Sequence, residues 1–480
     1  MLHRSGGSNL RSSLGSLLLL SLLFYLYTMG KNILLLGSGF VAGPCVEYLL
    51  RRPDFDVTIA SRTLSRAQAL QKQYPRASAT SVDINDTAAV EQLVSQFDLV
   101  ISLIPYTYHA EVIKAAIKYK KHVVTTSYIN PQMAELDQAA KDAGITVMNE
   151  IGLDPGIDHL YAIKTIDEVH KAGGKLTSFL SYCGGLPAPE CSNNPFGYKF
   201  SWSARGVLLA LRNTARFIEG GKVVEVPGPE LMNSAKPIFT GYPGYAFVGY
   251  ANRDSTPYAE RYQIPEAHDI LRGTLRYVGF PEFVKALVDI GFLNDQPQAH
   301  LDPAQTQPLP WSAVTARALS VNSSQVSAGS LQEAVISKAN LSKSPAKNAI
   351  LEGMRWLGLF SDKPCHPRGN YLDTLCATLE ELMQYGEGER DLVFLQHRFE
   401  ITHANGQQET RTSTLVEYGV PNGVTAMAKT VGVPCGIATT LVLDGKLAQK
   451  GVLAPMTRDI CDPIMELLEK EGIGMVEATL

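Results

Sequence analysis

The chain has 480 residues, 45% apolar and 19% charged, with a formal net charge of -4. That length exceeds a single hydrophobic core, so two or three domains are expected. The mildly acidic balance argues against a nucleic-acid footprint and offers no bulk attraction to an anionic ligand, which local arginines would have to hold.

In chain order, residues 1–28 come first. They carry Arg4 and Arg11 and then the apolar run Leu17–Tyr27, short for a bilayer span and similar to the apolar part of a secretory signal. No small-residue cleavage site follows, and Lys31 opens a core strand almost at once. The expectation is an N-terminal extension outside the folded domain, which starts at Met29-Gly30; an anchor or targeting signal is the alternative.

Ile33-Leu34-Leu35-Leu36 is a continuous apolar run suited to a strand buried on both faces of a parallel sheet. A helical stretch through Tyr48-Leu49-Leu50 follows, with Pro44 expected to distort its first turns. Further strands are expected at Val57–Ala60, Leu99–Ile104, His122–Thr126 and Ile145–Met148, with helices at Glu111–Tyr119 and Met133–Ala143 between them. This alternation predicts a doubly wound α/β domain with a Rossmann-type parallel sheet over 29–150. After Glu150 the chain is richer in glycine, proline and aromatic residues, with strands at Thr177–Tyr182 and Thr410–Val416. A second, mixed α/β domain is expected over 151–280 and 385–480, with a helical domain inserted over 281–384. The seven cysteines, Cys45, Cys183, Cys191, Cys365, Cys376, Cys435 and Cys461, show no CxxC pair. A disulfide scaffold or zinc site is therefore disfavoured and a reducing compartment fits.

Gly37-Ser38-Gly39-Phe40-Val41-Ala42 reads GxGxxA between an apolar strand and a helix, the context that a dinucleotide site requires. Gly37 supplies the turn, Gly39 lets a pyrophosphate approach the backbone, and Ala42 lets helix and strand pack closely. The next strand ends in Ala60-Ser61-Arg62-Thr63, with no acid for a ribose 2′-hydroxyl. A guanidinium with two flanking hydroxyls suits a 2′-phosphate, so NADP is favoured over NAD. Asp83-Ile84 is placed to meet the adenine, or Asp83 simply caps the next helix. Ligands sit beyond the carboxyl ends of such strands. Those ends are Ile104-Pro105-Tyr106, Thr125-Thr126-Ser127-Tyr128 and Glu150-Ile151-Gly152-Leu153-Asp154-Pro155-Gly156. Asp154 reads as a helix N-cap before a proline, and its carboxylate can also face an amine.

Five stretches then carry a family resemblance. They are Ser102–Tyr106, Val147–His159, Ser181–Pro189, Gly197–Ser203 and Asn252–Thr256, and the chain from about Met29 to near the C-terminus resembles saccharopine reductase, the glutamate-forming saccharopine dehydrogenase. The resemblance implies condensation of glutamate with L-2-aminoadipate 6-semialdehyde and reduction of the imine by NADPH to saccharopine, in lysine biosynthesis by the aminoadipate pathway. It also implies a homodimer, with the mixed α/β domain serving as the substrate and dimerisation domain; a cytoplasmic location is expected from the reducing compartment that the cysteines fit. Carried over by position, and beside Gly37 of the turn read above, the cofactor residues are Gly39, Phe40, Val41, Ala42, Ser61, Arg62, Thr63, Asp83, Ile84, Ile104, Thr125, Thr126, Leu153, Asp154, Pro155 and Ser203. The substrate residues are Ser127, Tyr128, Asp154, Arg253, Thr274, Leu275 and Arg276. Two departures stand out: Ser61 where the family suggests a cysteine, and Ala204 where it suggests a serine.

The chemistry is consistent with those positions. Three carboxylates on saccharopine call for arginines, and Arg253 and Arg276 answer that need unless they serve structural ion pairs. Proton transfer during imine formation points to Asp154 first, then Tyr128, then Cys183, which can equally be an inert core thiol. His109, His122 and His159 read as structural, and no metal-ligand spacing appears. Two other readings stay open: a non-catalytic NADP-binding protein associated with a membrane, and a related carboxyalkyl polyamine dehydrogenase taking a diamine in place of glutamate.

Overall fold

The first apolar run lies at the centre of a sheet: Ile33, Leu34 and Leu35 are fully buried, as a strand covered on both faces requires. The computed structural model describes residues 30–304, 307–322 and 327–480; the extension 1–28 and its apolar run lie outside the described residues. The chain divides into two units, one running to Gly152 and including Gly432–Ala454, the other Leu153–Val431 with Pro455–Leu480.

In the first unit, β1 (Lys31–Leu36), β2 (Phe55–Ser61), β3 (Ser78–Ser81), β4 (Leu99–Ser102), β5 (His122–Thr125) and β6 (Thr146–Met148) align as β3-β2-β1-β4-β5-β6. All neighbours are parallel. Helices Ala42–Leu50, Leu64–Gln73, Thr87–Val94, His109–Tyr119 and Asp137–Ala143 make the crossovers. The order reverses between β1 and β4, which opens a crevice at their carboxyl ends. The helix His109–Tyr119 buries Val112, Ile113 and Ala116 and stops at Lys120, whose φ of +54° ends it in a left-handed cap. Each buried Val or Ile contributes about 1.5–3 kcal/mol.

Three expectations need correction here. Residues 432–454, expected in the substrate domain, belong to this first unit. Their strand Gly451–Leu453, β15 in chain order, adds in parallel beside β6. Strand pairing needs only backbone, so the local sequence carries little trace of this distant partner. The helix expected over Met133–Ala143 is two, Pro131–Ala134 and Asp137–Ala143. Pro44, in the first turn where its missing N–H has no helical partner to lose, leaves Ala42–Leu50 continuous.

The second unit is built on a mixed sheet. Its main path uses β7 (Lys175–Pro187), β10 (Lys236–Pro237), β11 (Phe247–Ala251), β12 (Asp269–Tyr277), β13 (Asp391–Thr402), β14 (Gln408–Tyr418) and β16 (Val476–Thr479). The order is β10-β11-β12-β7-β13-β14-β16. Only β12 and β7 run parallel along this path. The hairpin β8 (Ala215–Glu219) and β9 (Lys222–Val226) joins at β12. Gly273 is required on β12 because a Cβ there would fall 2.4 Å from the Tyr182 ring.

The helical stretch 281–384 is not a separate unit. Phe283, Leu287, Trp311, Met354 and Leu375 share one core with Leu275 and Phe394 of the sheet. Those helices bury their apolar faces against one another and against the sheet in a single core. Among the described residues, one helix, Ala426–Leu443, is apolar and long enough to cross a membrane, and most of it is buried within the protein.

Candidate active site

In the first unit, the turn after β1 has the form that phosphate binding requires. Gly37 has φ +115°, and a Cβ there would lie 2.6 Å from the Leu103 carbonyl oxygen. That oxygen belongs to the segment after β4, so the glycine lets the two strand ends converge at the crevice. A Cβ on Gly39 would meet nothing within 4 Å, which leaves its backbone open to a bulky anion. The helix starting at Ala42 has no side-chain cap, so its amino end presents N–H groups and partial positive charge. Phe40 is exposed beside it, Val41 is the N-cap and Ala42 is buried. At the end of β2, Ser61 is half-buried, whereas Arg62 and Thr63 are exposed.

Asp83 is not a helix cap: Asp86 accepts from the Ala89 amide and starts the helix at Thr87. Asp83 instead accepts from the Asn85 backbone and side-chain amides. The Asn85 amide, helped by the charge of Arg62, holds its carboxyl below the usual range. Ile84 and Ile104 pack at the edge of this unit's core. The 2′-phosphate contacts proposed for Ser61, Arg62 and Thr63 thus fit an accessible cationic strand end.

At β4 and β5 one histidine organises three hydroxyls. The Ser102 Oγ lies 2.8 Å from His109 Nδ1, and Ser127 Oγ lies 2.8 Å from His109 Nε2, with Thr125 Oγ1 at 3.3 Å. Burial pushes the imidazole down to about 4, so it is neutral near pH 7 and serves as one donor and one acceptor. His109 therefore supports Ser127, a substrate candidate, rather than being merely packed. Thr126 and Tyr128 are half-buried next to it. Glu150 Oε1 accepts from the Ile129 amide, tying the same loop to the end of β6.

The remaining candidates Leu153, Asp154, Pro155, Cys183, Ser203, Arg253, Thr274, Leu275 and Arg276 belong to the second unit. Asp154 does not cap a helix. The Asp154–Pro155 peptide is cis, and the helix Ile157–Lys171 begins after Gly156. Asp158 Oδ1 takes the Gly156 amide at 2.6 Å and turns the chain into the helix. Asp154 pairs across the unit instead: Arg272 Nη2 donates to Asp154 Oδ1 and to Asp158 Oδ2, both at 2.5 Å. Arg272 also donates from Nη1 to the Tyr258 hydroxyl and lies 4.4 Å over that ring.

Arg272 was not a sequence candidate. Its signal was available: Arg272, Thr274 and Arg276 alternate along β12, so three polar side chains share one face of a buried strand. Register places Ser181 beside Arg272 and Cys183 beside Thr274 on β7.

Burial raises the Asp158 carboxyl, but the charges of His159 and Arg272 and the Gly156 amide together hold it below the ordinary range. His159 Nδ1 lies 2.7 Å from the Tyr262 hydroxyl. Behind Asp158, His397 is pushed down to about 4 by burial and donates from Nε2 to the Asp158 carbonyl.

Arg276 is 6% exposed. Nη1 donates to the Leu275 carbonyl at 2.7 Å, and the guanidinium stacks 4.9 Å from Tyr198 and 5.3 Å from Phe280. No carboxylate pairs with it among the described residues, and its buried Nε has no hydrogen-bond partner there. A buried cation held by aromatic faces and lacking a counter-ion is suited to an incoming anion.

The other positions are mixed. Thr274 is half-buried, whereas the Leu275 side chain is fully buried in the core and its carbonyl accepts from Arg276. Arg253 is exposed in a loop at φ +57°. The Ser203 Oγ caps the helix Ala204–Ala210 by accepting from Gly206. Cys183 is buried, and burial, with Asp154 and Asp158 nearby, pushes its thiol well up, so it is a poor proton carrier near neutral pH. All seven cysteines are free and buried. Among the described residues no cluster of metal-ligating side chains occurs.

Residues 33–148 match the saccharopine dehydrogenase NADP binding domain and residues 152–473 the saccharopine dehydrogenase C-terminal domain. The saccharopine dehydrogenase (NADP(+), L-glutamate-forming) of Schizosaccharomyces pombe is 62% identical over 446 residues, 93% of this chain and 98% of that one. The Saccharomyces cerevisiae protein of the same description is 57% identical over 454 residues, 94% and 100% of the two chains. An apo histidine-tagged saccharopine dehydrogenase (L-Glu forming) from Saccharomyces cerevisiae superposes with a TM-score of 0.85 at 56% identity, over 94% of this chain and 100% of that chain.

Proposed function

The chain belongs to the saccharopine dehydrogenase family, and we propose that it is the NADP-dependent, glutamate-forming enzyme, condensing glutamate with L-2-aminoadipate 6-semialdehyde and reducing the imine to saccharopine. The observation that carries this reading is Arg276, a buried guanidinium on the same strand face as Thr274 and the Arg272–Asp154 pair, with no carboxylate of its own among the described residues. A substrate carboxylate supplies the missing charge, and a planar guanidinium can take it with two parallel donors. Sequence identity of 57–62% to enzymes of that description supports the same chemistry.

In the condensation, the glutamate amine attacks the aldehyde carbon and water leaves. The imine carbon then gains two electrons and a proton, as a hydride, and its nitrogen takes up a second proton. NADPH, when bound, supplies the two-electron reductant. Gly37, Gly39 and the helix from Ala42 would hold its pyrophosphate, and Ser61, Arg62 and Thr63 its 2′-phosphate. Asp154 is the preferred group to balance or accept the proton of the substrate nitrogen, because its carboxylate is placed by Arg272 and is 15% exposed. Tyr128 remains a second donor. Cys183 is the weakest of the three, since burial keeps its thiol protonated. Arg253, Thr274 and Leu275 complete the proposed contacts to the amino acid within the second unit.

A place in lysine biosynthesis by the aminoadipate route and a homodimeric assembly belong to this same proposal. A cytoplasmic location is part of it too, and seven free, buried cysteines support a reducing compartment. The purified chain is expected to consume NADPH only when glutamate and the semialdehyde are both present. Consumption with either alone would overturn the imine-reduction reading, and a diamine accepted in place of glutamate would move the chain to the polyamine alternative.

A further inference from the structure

We infer that Arg272 is a positioning residue of this reaction: one guanidinium nitrogen, shared by Asp154 and Asp158, sets where the Asp154 carboxylate points. This rests on the proposed role of Asp154 and deepens it. The argument begins with which members of the cluster can move. Asp158 cannot: its side chain is 1% exposed, Oδ1 is taken by the Gly156 amide, and it lies at the start of a buried helix. Arg272 is equally fixed. Its side chain is 6% exposed, its backbone amide donates to Ser255 Oγ at 3.0 Å, and the Tyr258 hydroxyl and ring hold the guanidinium from a second side.

Asp154 differs from both. It lies in the loop before the helix, and its side chain is 15% exposed, the most accessible end of a chain of contacts whose other end is buried. Its orientation is therefore passed out to it from the strand and the helix through Arg272 Nη2. The chemistry of the pair explains why the bridging group is arginine. A lysine ammonium is a point charge on a flexible stem and does not reproduce a planar fork that meets two carboxylates and a hydroxyl at once. Burying three charges is unfavourable for the fold compared with apolar side chains of similar size. Such an arrangement is consistent with a site that needs one carboxylate held in one place.

The test is a double-substitution cycle on the full-length chain with Arg272→Gln, Arg272→Lys, Asp154→Asn and the two combinations. Turnover, the KM for NADPH and thermal unfolding are measured on each. Arg272→Gln and Arg272→Lys are each expected to lower kcat by roughly 10- to 100-fold, with the KM for NADPH within about twofold of the parent. In the Asp154→Asn background, either change should lower kcat by less than about threefold, because the group it orients is already gone. Equal losses in both backgrounds would overturn the positioning role. Failure of both Arg272 variants to fold would overturn it too, since the guanidinium would then belong to the fold. An unsubstituted chain that turns over no substrate would instead refute the proposed function itself.

Discussion

Replacing Arg276 by methionine separates a binding cation from a structural one. In the structure this side chain makes one charged hydrogen bond, to the Leu275 carbonyl, and two aromatic contacts, to Tyr198 and Phe280. Losing the hydrogen bond removes about 1.5–3 kcal/mol, and each aromatic contact to this desolvated cation about 2 kcal/mol. Against this stands the removal of a buried charge with no carboxylate partner among the described residues, a penalty of several kcal/mol. The two sides nearly cancel, so the melting temperature of Arg276→Met should stay within a few degrees of the parent or rise. Binding should change far more. Truncating one partner of a desolvated charge pair costs about 2–5 kcal/mol, or roughly 30- to 5000-fold in kcat/KM for the amino acid. Steady-state kinetics with glutamate varied, and separately with saccharopine and NADP in the reverse direction, read this directly, with the KM for NADPH as the internal control. A variant with parental KM values and a melting point lowered by more than about 10 °C would show that the guanidinium serves the fold, and the reasoning would be wrong.

Three further outcomes are expected. Arg62→Ala should weaken NADPH binding about tenfold or more while leaving NADH nearly unchanged, because only NADPH offers a 2′-phosphate; equal loss for both, measured by fluorescence titration, would remove Arg62 from that role. Cys183→Ala should keep turnover within about threefold, because burial holds the thiol protonated, and a loss above about 100-fold would restore Cys183 as a proton carrier. His109 is neutral in the fold down to about pH 4, whereas an unfolded imidazole takes up a proton near its ordinary value of about 6.5. The unfolded state thus binds more protons between these values, and stability should fall as pH drops from about 6.5 to about 4, by up to about 3 kcal/mol from this group. Denaturant unfolding across that range should show a shallower fall in His109→Gln, and an unchanged slope would contradict the buried, neutral histidine.

The phosphate turn was legible because its constraints are local. A glycine at φ +115°, a second with open space around it and an alanine at the start of a helix are all specified within six consecutive residues. The parallel sheet was legible for a related reason, since strands covered on both faces must be apolar throughout. Arg276 and Thr274 came from family resemblance, and in the structure Arg276 is a buried charge without a carboxylate partner among the described residues.

Three features were decided only in three dimensions. Strand Gly451–Leu453 joined the first sheet because a parallel edge accepts any extended backbone, whatever its place in the chain. The helical stretch merged with the mixed sheet because its apolar faces found Leu275 and Phe394 rather than each other alone. Asp154 looked like a helix cap from its proline neighbour, yet Asp158 took the Gly156 amide at the helix start, and Arg272, 118 residues away, claimed the carboxylate. Sequence by itself therefore determined the cofactor fold, which follows from neighbours along the chain, whereas the kind of chemistry came from the resemblance to a family. Which charge meets which is a matter of strand register and burial, and those exist only once the sheet has closed.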